Sequence, residues 1–194
     1  MTEIRRATLD DLKYLDDLRK KNGDALGFIP MQGYEMEVNG ERRGSIYLTF
    51  DNEDPTGFIY ATHSGRGASH IIQVAIQEDA RRMERASLLV NAVVADGEAR
   101  RSWLTSLRCA DDLDSNHFWE ALGFSLEQEG VWPKTPNAPG KAKRALNRRG
   151  RLINVWQRVE RGLFAPSSYT TPLVLADADA RPELVQDGAQ AALA

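Results

Sequence analysis

Val74-Ala75-Ile76-Gln77-Glu78-Asp79-Ala80-Arg81-Arg82-Met83-Glu84-Arg85-Ala86-Ser87 is the stretch that decides the fold. An alternating apolar run leads into a short polar turn, and a helical pattern follows. A strand feeding a helix start leaves backbone N–H groups unpaired at the turn, with the positive end of the helix dipole behind them. Such a place suits a diphosphate. Arg81, Arg82 and Arg85 add positive charge there. Basic residues at a helix start oppose its dipole, so the cluster asks for an anion. The plainer alternative is an amphipathic helix with a solvated basic first turn.

Working outward, Ser69–Gln77 reads as the strand before the turn. Strand alternation would place His70, Ile72, Val74 and Ile76 on one face. Asp79 reads as the start of a long helix carrying Met83, Ala86, Val90 and Val93 on one side. Upstream, Ser45–Phe50 and Thr56–His63 are strands joined by turn residues 51–55, and Ser64-Gly65-Arg66-Gly67 is a second turn. Glu3–Ala7 is a first strand. Thr8, with Asp11 three residues on, signals a helix start before Leu9, Leu12, Leu15 and Leu18, and Asn22-Gly23 stops that helix. Residues 24–43 are ambiguous and leave room for a second short helix before Asn39-Gly40. Downstream, Trp103–Cys109 is a strand and Ser115–Leu122 a helix ended by Gly123, a residue suited to a left-handed cap. Phe124–Val131 and Arg151–Val159 are the last strands. The order β-α-(α)-β-β-β-α-β-α-β-β gives a mixed α/β domain over 1–161. Residues 132–150, with three prolines and two glycines, read as a long basic loop, and 162–194 as a flexible tail.

The chain has 194 residues, 42% hydrophobic and 27% charged, with a formal net charge of −3. That length suits one domain with a sizeable core. There is no apolar run long enough to span a membrane, and the first fifteen residues hold no apolar stretch like that of a signal peptide. A cytoplasmic location is the expectation. Cys109 is the single cysteine and cannot form an internal disulfide. His63, His70 and His117 are too scattered for a metal site, so none is expected.

A second motif, Phe118-Trp119-Glu120-Ala121-Leu122-Gly123-Phe124, begins 32 residues after Ala86, with a strand between. Together the two stretches resemble the GCN5-related N-acetyltransferase (GNAT) family over about residues 3–130. The first matches its acetyl-CoA loop, Arg/Gln-x-x-Gly-x-Gly/Ala, and the second its Phe-Tyr-x-x-Leu-Gly-Phe helix end. The resemblance implies the GNAT fold, a mixed, mostly antiparallel sheet flanked by helices, and acetyl-CoA as co-substrate. It implies that Arg81 takes the Arg/Gln position and that backbone N–H groups of Arg82, Met83, Glu84, Arg85, Ala86 and Ser87 hold the diphosphate. Val74, Ala75 and Ile76 would be the splayed strand pairing with the pantetheine arm, and Phe118 and Trp119 would complete the cofactor side. Three positions depart from the pattern. Glu84 replaces the first loop glycine, Asp112 replaces a common asparagine, and Trp119 replaces the tyrosine that would protonate the departing thiolate, which an indole cannot do.

An ammonium acceptor must lose a proton before its nitrogen attacks. His70 occupies the place where the histone-acetyltransferase branch has its basic glutamate, and an imidazole ordinarily titrates near pH 6.5. His70 is therefore the expected base, with His63 in reserve. His70 could instead be a half-buried strand histidine that only hydrogen-bonds, and an ordered water chain to backbone carbonyls would need neither histidine. Cys109 reads as a small buried residue and His117 as structural or exposed.

Residues 134–161 carry nine basic side chains against Glu160 alone, a net +8 that leaves −11 elsewhere. Such asymmetry suits an anionic partner, either nucleic acid or the 3′-phosphate of CoA. A solvated loop would show the same charges. The expected activity is transfer of an acetyl group to a primary amine by direct attack in a ternary complex, in a monomer or homodimer. The acceptor is a small molecule or an amine on a modified DNA base, since the chain also looks like the divergent bacteriophage members of the family. The alternative is a non-catalytic GNAT-fold protein that binds nucleic acid or protein through its basic arm.

Overall fold

A computed structural model describes residues 2–81, 84–131 and 151–160. Arg82, Met83, the expected basic loop at 132–150 and the expected tail at 162–194 lie outside the described residues. The chain divides into two compact units, Met1–Trp103 and Leu104–Ala194.

The first unit contains β1 (Thr2–Arg6), α1 (Leu12–Lys21), α2 (Met31–Val38), β2 (Gly44–Asp51), β3 (Asp54–His63), β4 (Ala68–Ile76) and α3 (Arg85–Ala99). The strands lie in the order β1-β2-β3-β4, each antiparallel to its neighbour. The chain enters α1 as its sequence indicates: the Thr8 backbone N–H donates to Asp11 Oδ2 at 2.7 Å, and the Arg5 guanidinium grips the same carboxylate at 2.7 and 2.9 Å. The ambiguous stretch contains the second short helix, α2.

One face of these strands is covered by α1 and α2. Leu15, Leu18 and Tyr34 pack there on Ile46, Leu48, Phe50, Phe58, Tyr60 and Ala75. Each such side chain, fully buried, is worth about 1.5–3 kcal/mol. The other face carries α3, whose Leu89, Val90 and Val93 are completely buried. Gly97 lets α3 approach closely, since a Cβ there would lie 2.6 Å from Ser69 Oγ.

The register of β4 departs from simple alternation. Tyr60 pairs with Gln73 and Ala61 with Ile71, so Ile72 is an extra residue in a β-bulge. Thr62 opposes His70, Phe58 opposes Ala75 and Ile59 opposes Val74. An extra residue resets which side each later residue faces. His70 therefore shares the α1/α2 face with Gln73 and Ala75, whereas Val74 and Ile76 face α3. This corrects the expectation that His70, Val74 and Ile76 lie on one face.

The start of α3 is a second correction. Asp79 lies in a short 3-10 turn, Glu78–Ala80, and the helix begins only at Arg85. Arg81 is extended (φ −68°, ψ 158°) and Glu84 is left-handed (φ 59°, ψ 0°), so neither residue is helical.

The second unit contains β5 (Leu104–Ala110), α4 (Ser115–Ala121), β6 (Ser125–Val131) and β7 (Ile153–Val159), with strand order β5-β7-β6, antiparallel. Gly123 ends α4 at φ +79°, as its position indicates. Trp119 is 3% exposed and meets Phe118 and Phe124 edge to face, with centroids 4.9 and 5.4 Å away. Trp156 is core, and Cys109 is buried with its Sγ 3.2 Å from Ser115 Oγ. The fold class is the expected one, a mixed, mostly antiparallel α/β fold with flanking helices.

Candidate active site

The end of β4, residues 77–81 and the start of α3 are the candidate site, all within the first unit. Gln77 fixes the end of β4: its N–H donates to Thr56 O at 2.8 Å, and its Nε2 donates to Pro55 O at 2.9 Å and to the Tyr14 hydroxyl at 3.2 Å. Gly57, opposite Ile76, makes room for that strand, since a Cβ there would come within 2.8 Å of Ala75 O. The first backbone bond of α3 runs from Leu88 N–H to Glu84 O, 3.0 Å. The N–H groups of Arg85, Ala86 and Ser87 therefore precede the helical ladder and point out of its end.

The three arginines do not act alike. Arg81 is exposed, and its Nη2 donates to Asn22 Oδ1 at 3.0 Å while Nε donates to Ile76 O at 3.4 Å. Its charge meets neutral partners and remains available to an anion. Arg85 is only 6% exposed and turns inward. It pairs with Asp51, and its Nη1 donates to Ala80 O at 3.0 Å. The expectation that its charge serves the anion site is thus corrected: what Arg85 offers the turn is its backbone N–H. Arg82 lies outside the described residues. Glu84 is exposed.

Glu84 occupies the left-handed conformation that glycine adopts without cost, whereas other residues are disfavoured there by about 1–2 kcal/mol. The loop shape that a glycine would supply is thus retained under strain. Glu84→Gly is expected to raise stability by about 1 kcal/mol, or about 2–4 °C in Tm. A thermal melt with no rise would contradict this conformation.

The two candidate bases are differently placed. His70 is half-buried on the α1/α2 face. His63 is 6% exposed on the α3 face, with Nδ1 2.9 Å from Ser69 Oγ and Nε2 2.9 Å from Ser45 Oγ and 3.2 Å from Asp96 Oδ2. Both ring nitrogens are engaged in a sealed network, so His63 is structural rather than a reserve base. Burial holds its pKa below the ordinary value, outweighing the attraction of Asp96. The neutral form is favoured in the fold, so the unfolded chain binds a proton first as pH falls through about 6.5, and stability drops by up to about 1.4 kcal/mol per unit until the folded group also titrates. Urea unfolding at pH 7.5 and 5.5 is expected to show this loss (about 1.4 kcal/mol per unit at most), reduced in His63→Gln. Equal losses in both proteins would contradict it.

Val74–Ile76, Arg81 and Glu84–Ser87 are thus brought together along one run of the first unit, while Phe118 and Trp119 belong to α4 of the second. Sequence reasoning missed Asp51, Gln73 and Asn116. Gln73 did carry a signal, as the one amide in the apolar run Ile71–Ile76.

A model of the Acetyltransferase (GNAT) family matches residues 12–124. The chain belongs to this family. By sequence, no curated protein matches it. Among solved structures, this GNAT protein is similar to the ribosomal-protein-S18-alanine N-acetyltransferase of Escherichia coli, at 15% identity and TM-score 0.63 over 86% of this chain and 97% of that one. It is also similar to Arabidopsis thaliana NAA60 in complex with a bisubstrate analogue, at 14% identity and TM-score 0.62 over 81% and 95%. N-acetylglutamate synthase from Neisseria gonorrhoeae, complexed with coenzyme A and N-acetyl-glutamate, aligns at 12% identity and TM-score 0.65 over 84% of this chain and 36% of that one. These identities speak for the fold. The family match identifies the chain as a GNAT-type acetyltransferase. Among the described residues no helix is long and apolar enough to cross a membrane, and no group of acidic, histidine and cysteine side chains could hold a metal ion.

Proposed function

We propose that the protein transfers an acetyl group from acetyl-CoA to a primary amine by direct attack in a ternary complex. The observation that carries this reading is the turn itself: the N–H groups of Arg85, Ala86 and Ser87 open at the positive end of a fifteen-residue helix, beside an exposed Arg81. These groups suit the diphosphate of CoA, and Arg85 turns its side chain inward to Asp51. Acetyl-CoA supplies an acetyl group activated as a thioester. The main chain of Val74–Ile76 would hold the pantetheine arm and orient N–H dipoles toward the thioester carbonyl, the kind of fixed electrostatics that contributes most in acyl transfer. His70 would take the proton of the incoming ammonium. Trp119 is buried in the aromatic core of its unit and, as an indole, is no acid for the leaving thiolate.

The acceptor is an amine of a small molecule or of a modified DNA base. The charge of residues 134–161 favours an anionic carrier, and titration of duplex DNA at two salt concentrations separates the two.

Replacing Arg81 and Arg82 together by alanine tests the donor site. Loss of one charge-assisted contact is worth about 1.5–3 kcal/mol, so affinity for acetyl-CoA should fall about tenfold or more. Unchanged affinity by calorimetry would remove this turn from the site.

A further inference from the structure

We propose that Gln73 is a positioning residue for acyl transfer, locking the β4 bulge in place and tying it to the connection between α1 and α2. The proposal rests on the reading of Val74–Ile76 as the strand that holds the acyl donor.

Gln73 is 2% exposed and is the first residue past the extra residue of the bulge. Its amide is used at both ends. The Tyr34 hydroxyl of α2 donates to Oε1 at 2.5 Å, and Nε2 donates to the Gly27 carbonyl at 2.5 Å. Tyr34 is completely buried and meets the Phe58 and Tyr60 rings nearly edge-on, at 6.3 and 6.1 Å between centroids. The hydroxyl is thus held from behind, and it offers its proton to one point on β4.

A bulge is one extra residue in an otherwise regular ladder, and moving it by one position turns the residues between to the opposite face. With the bulge at Ile72, residue 73 faces α2. If the extra residue lay beyond Ile76 instead, residue 73 would oppose Ile59 on the α3 face, out of reach of Tyr34 and Gly27, and Val74–Ile76 would each turn over. A buried amide deprived of both partners is strongly disfavoured, whereas an apolar residue there would tolerate either register. Gln73 therefore selects one bulge position, and with it the direction of the main-chain groups of Val74–Ile76. The same amide anchors Gly27, beside Phe28, which is 63% exposed. Segment 24–30 and the donor strand are thereby fixed relative to each other within the first unit.

Gln73→Met keeps the length of the side chain and removes both bonds. Gln73→Glu keeps an acceptor for Tyr34 and loses the donor to Gly27. Three readings are made on each: native-state hydrogen exchange, the acetyl-CoA dissociation constant, and CoA thiol release with a panel of primary amines (a lysyl peptide, spermidine and glucosamine). In Gln73→Met, amides 72–76 and 25–29 should exchange about tenfold faster or more. Acetyl-CoA affinity should fall by much less than turnover does, because the diphosphate turn is untouched. Turnover should fall by about 10²-fold, as expected of a donor misplaced by about an ångström. In Gln73→Glu the faster exchange should centre on 25–29. Should Gln73→Met fail to fold, Tyr34→Phe removes one hydroxyl and should show the exchange change at 72–76 alone. Wild-type exchange at 72–76 in Gln73→Met, or in Tyr34→Phe where Gln73→Met does not fold, would overturn the proposal, as would wild-type turnover in Gln73→Met. A wild-type protein that does not bind acetyl-CoA would overturn the donor reading instead, and the exchange comparison would still decide whether Gln73 holds the bulge.

Discussion

Asn116→Ala is expected to lower stability by about 3 kcal/mol or more, or about 6–12 °C in Tm. The Asn116 side chain is the polar hub of the second unit. Its Nδ2 donates to the carbonyls of Leu113 and Ala110 at 2.7 and 2.8 Å and to that of Asp111 at 3.2 Å. Its Oδ1 accepts from Trp156 Nε1 at 2.9 Å and Asn154 Nδ2 at 3.0 Å. One side chain thus joins the end of β5, the start of α4 and the middle of β7. Alanine would leave the indole N–H of a buried tryptophan and the amide of buried Asn154 without this acceptor. Each buried group so stranded costs about 1–3 kcal/mol. Thermal melts compare the variant with wild type, and a shift below about 2 °C would show that water or a neighbour replaces the amide.

The second large effect falls on the reaction. His70→Gln should lower turnover by about 10²–10⁴-fold and spare acetyl-CoA affinity. The expectation rests on chemistry and place together. An ammonium acceptor needs a base, His63 is sealed beneath α3, and His70 is half-buried on the face that also carries Gln73. The acidic limb of the pH–rate profile should disappear with the imidazole. A variant that matches wild type at every pH would assign the proton to water.

The strand–turn–helix core of the fold was legible because local signals agree there. Alternation marks β2 to β4, Asn22-Gly23 closes α1, and Gly123 closes α4. Two local features were not legible, for definite reasons. Asp79 resembles a helix N-cap, yet the helix follows a left-handed Glu84 and begins at Arg85, six residues beyond where the pattern suggested. Nothing in the run from His70 to Ile76 marks a bulge, because apolar residues continue through it, and the parity of His70 was lost with it. Contacts set by the tertiary fold were invisible for a further reason. Arg85 meets Asp51 across 34 positions, and Asn116 meets Trp156 across 40. The family motif points to the junction of β4, turn and α3 as the candidate donor site.

The central claim is that the turn after β4 receives acetyl-CoA. Its most direct test is titration of acetyl-CoA into the isotope-labelled protein while the backbone amides are observed by NMR. Saturable shifts should be largest at Arg85, Ala86 and Ser87 and extend along Val74–Ile76. Absence of binding, or shifts that leave these amides unmoved, would contradict the account.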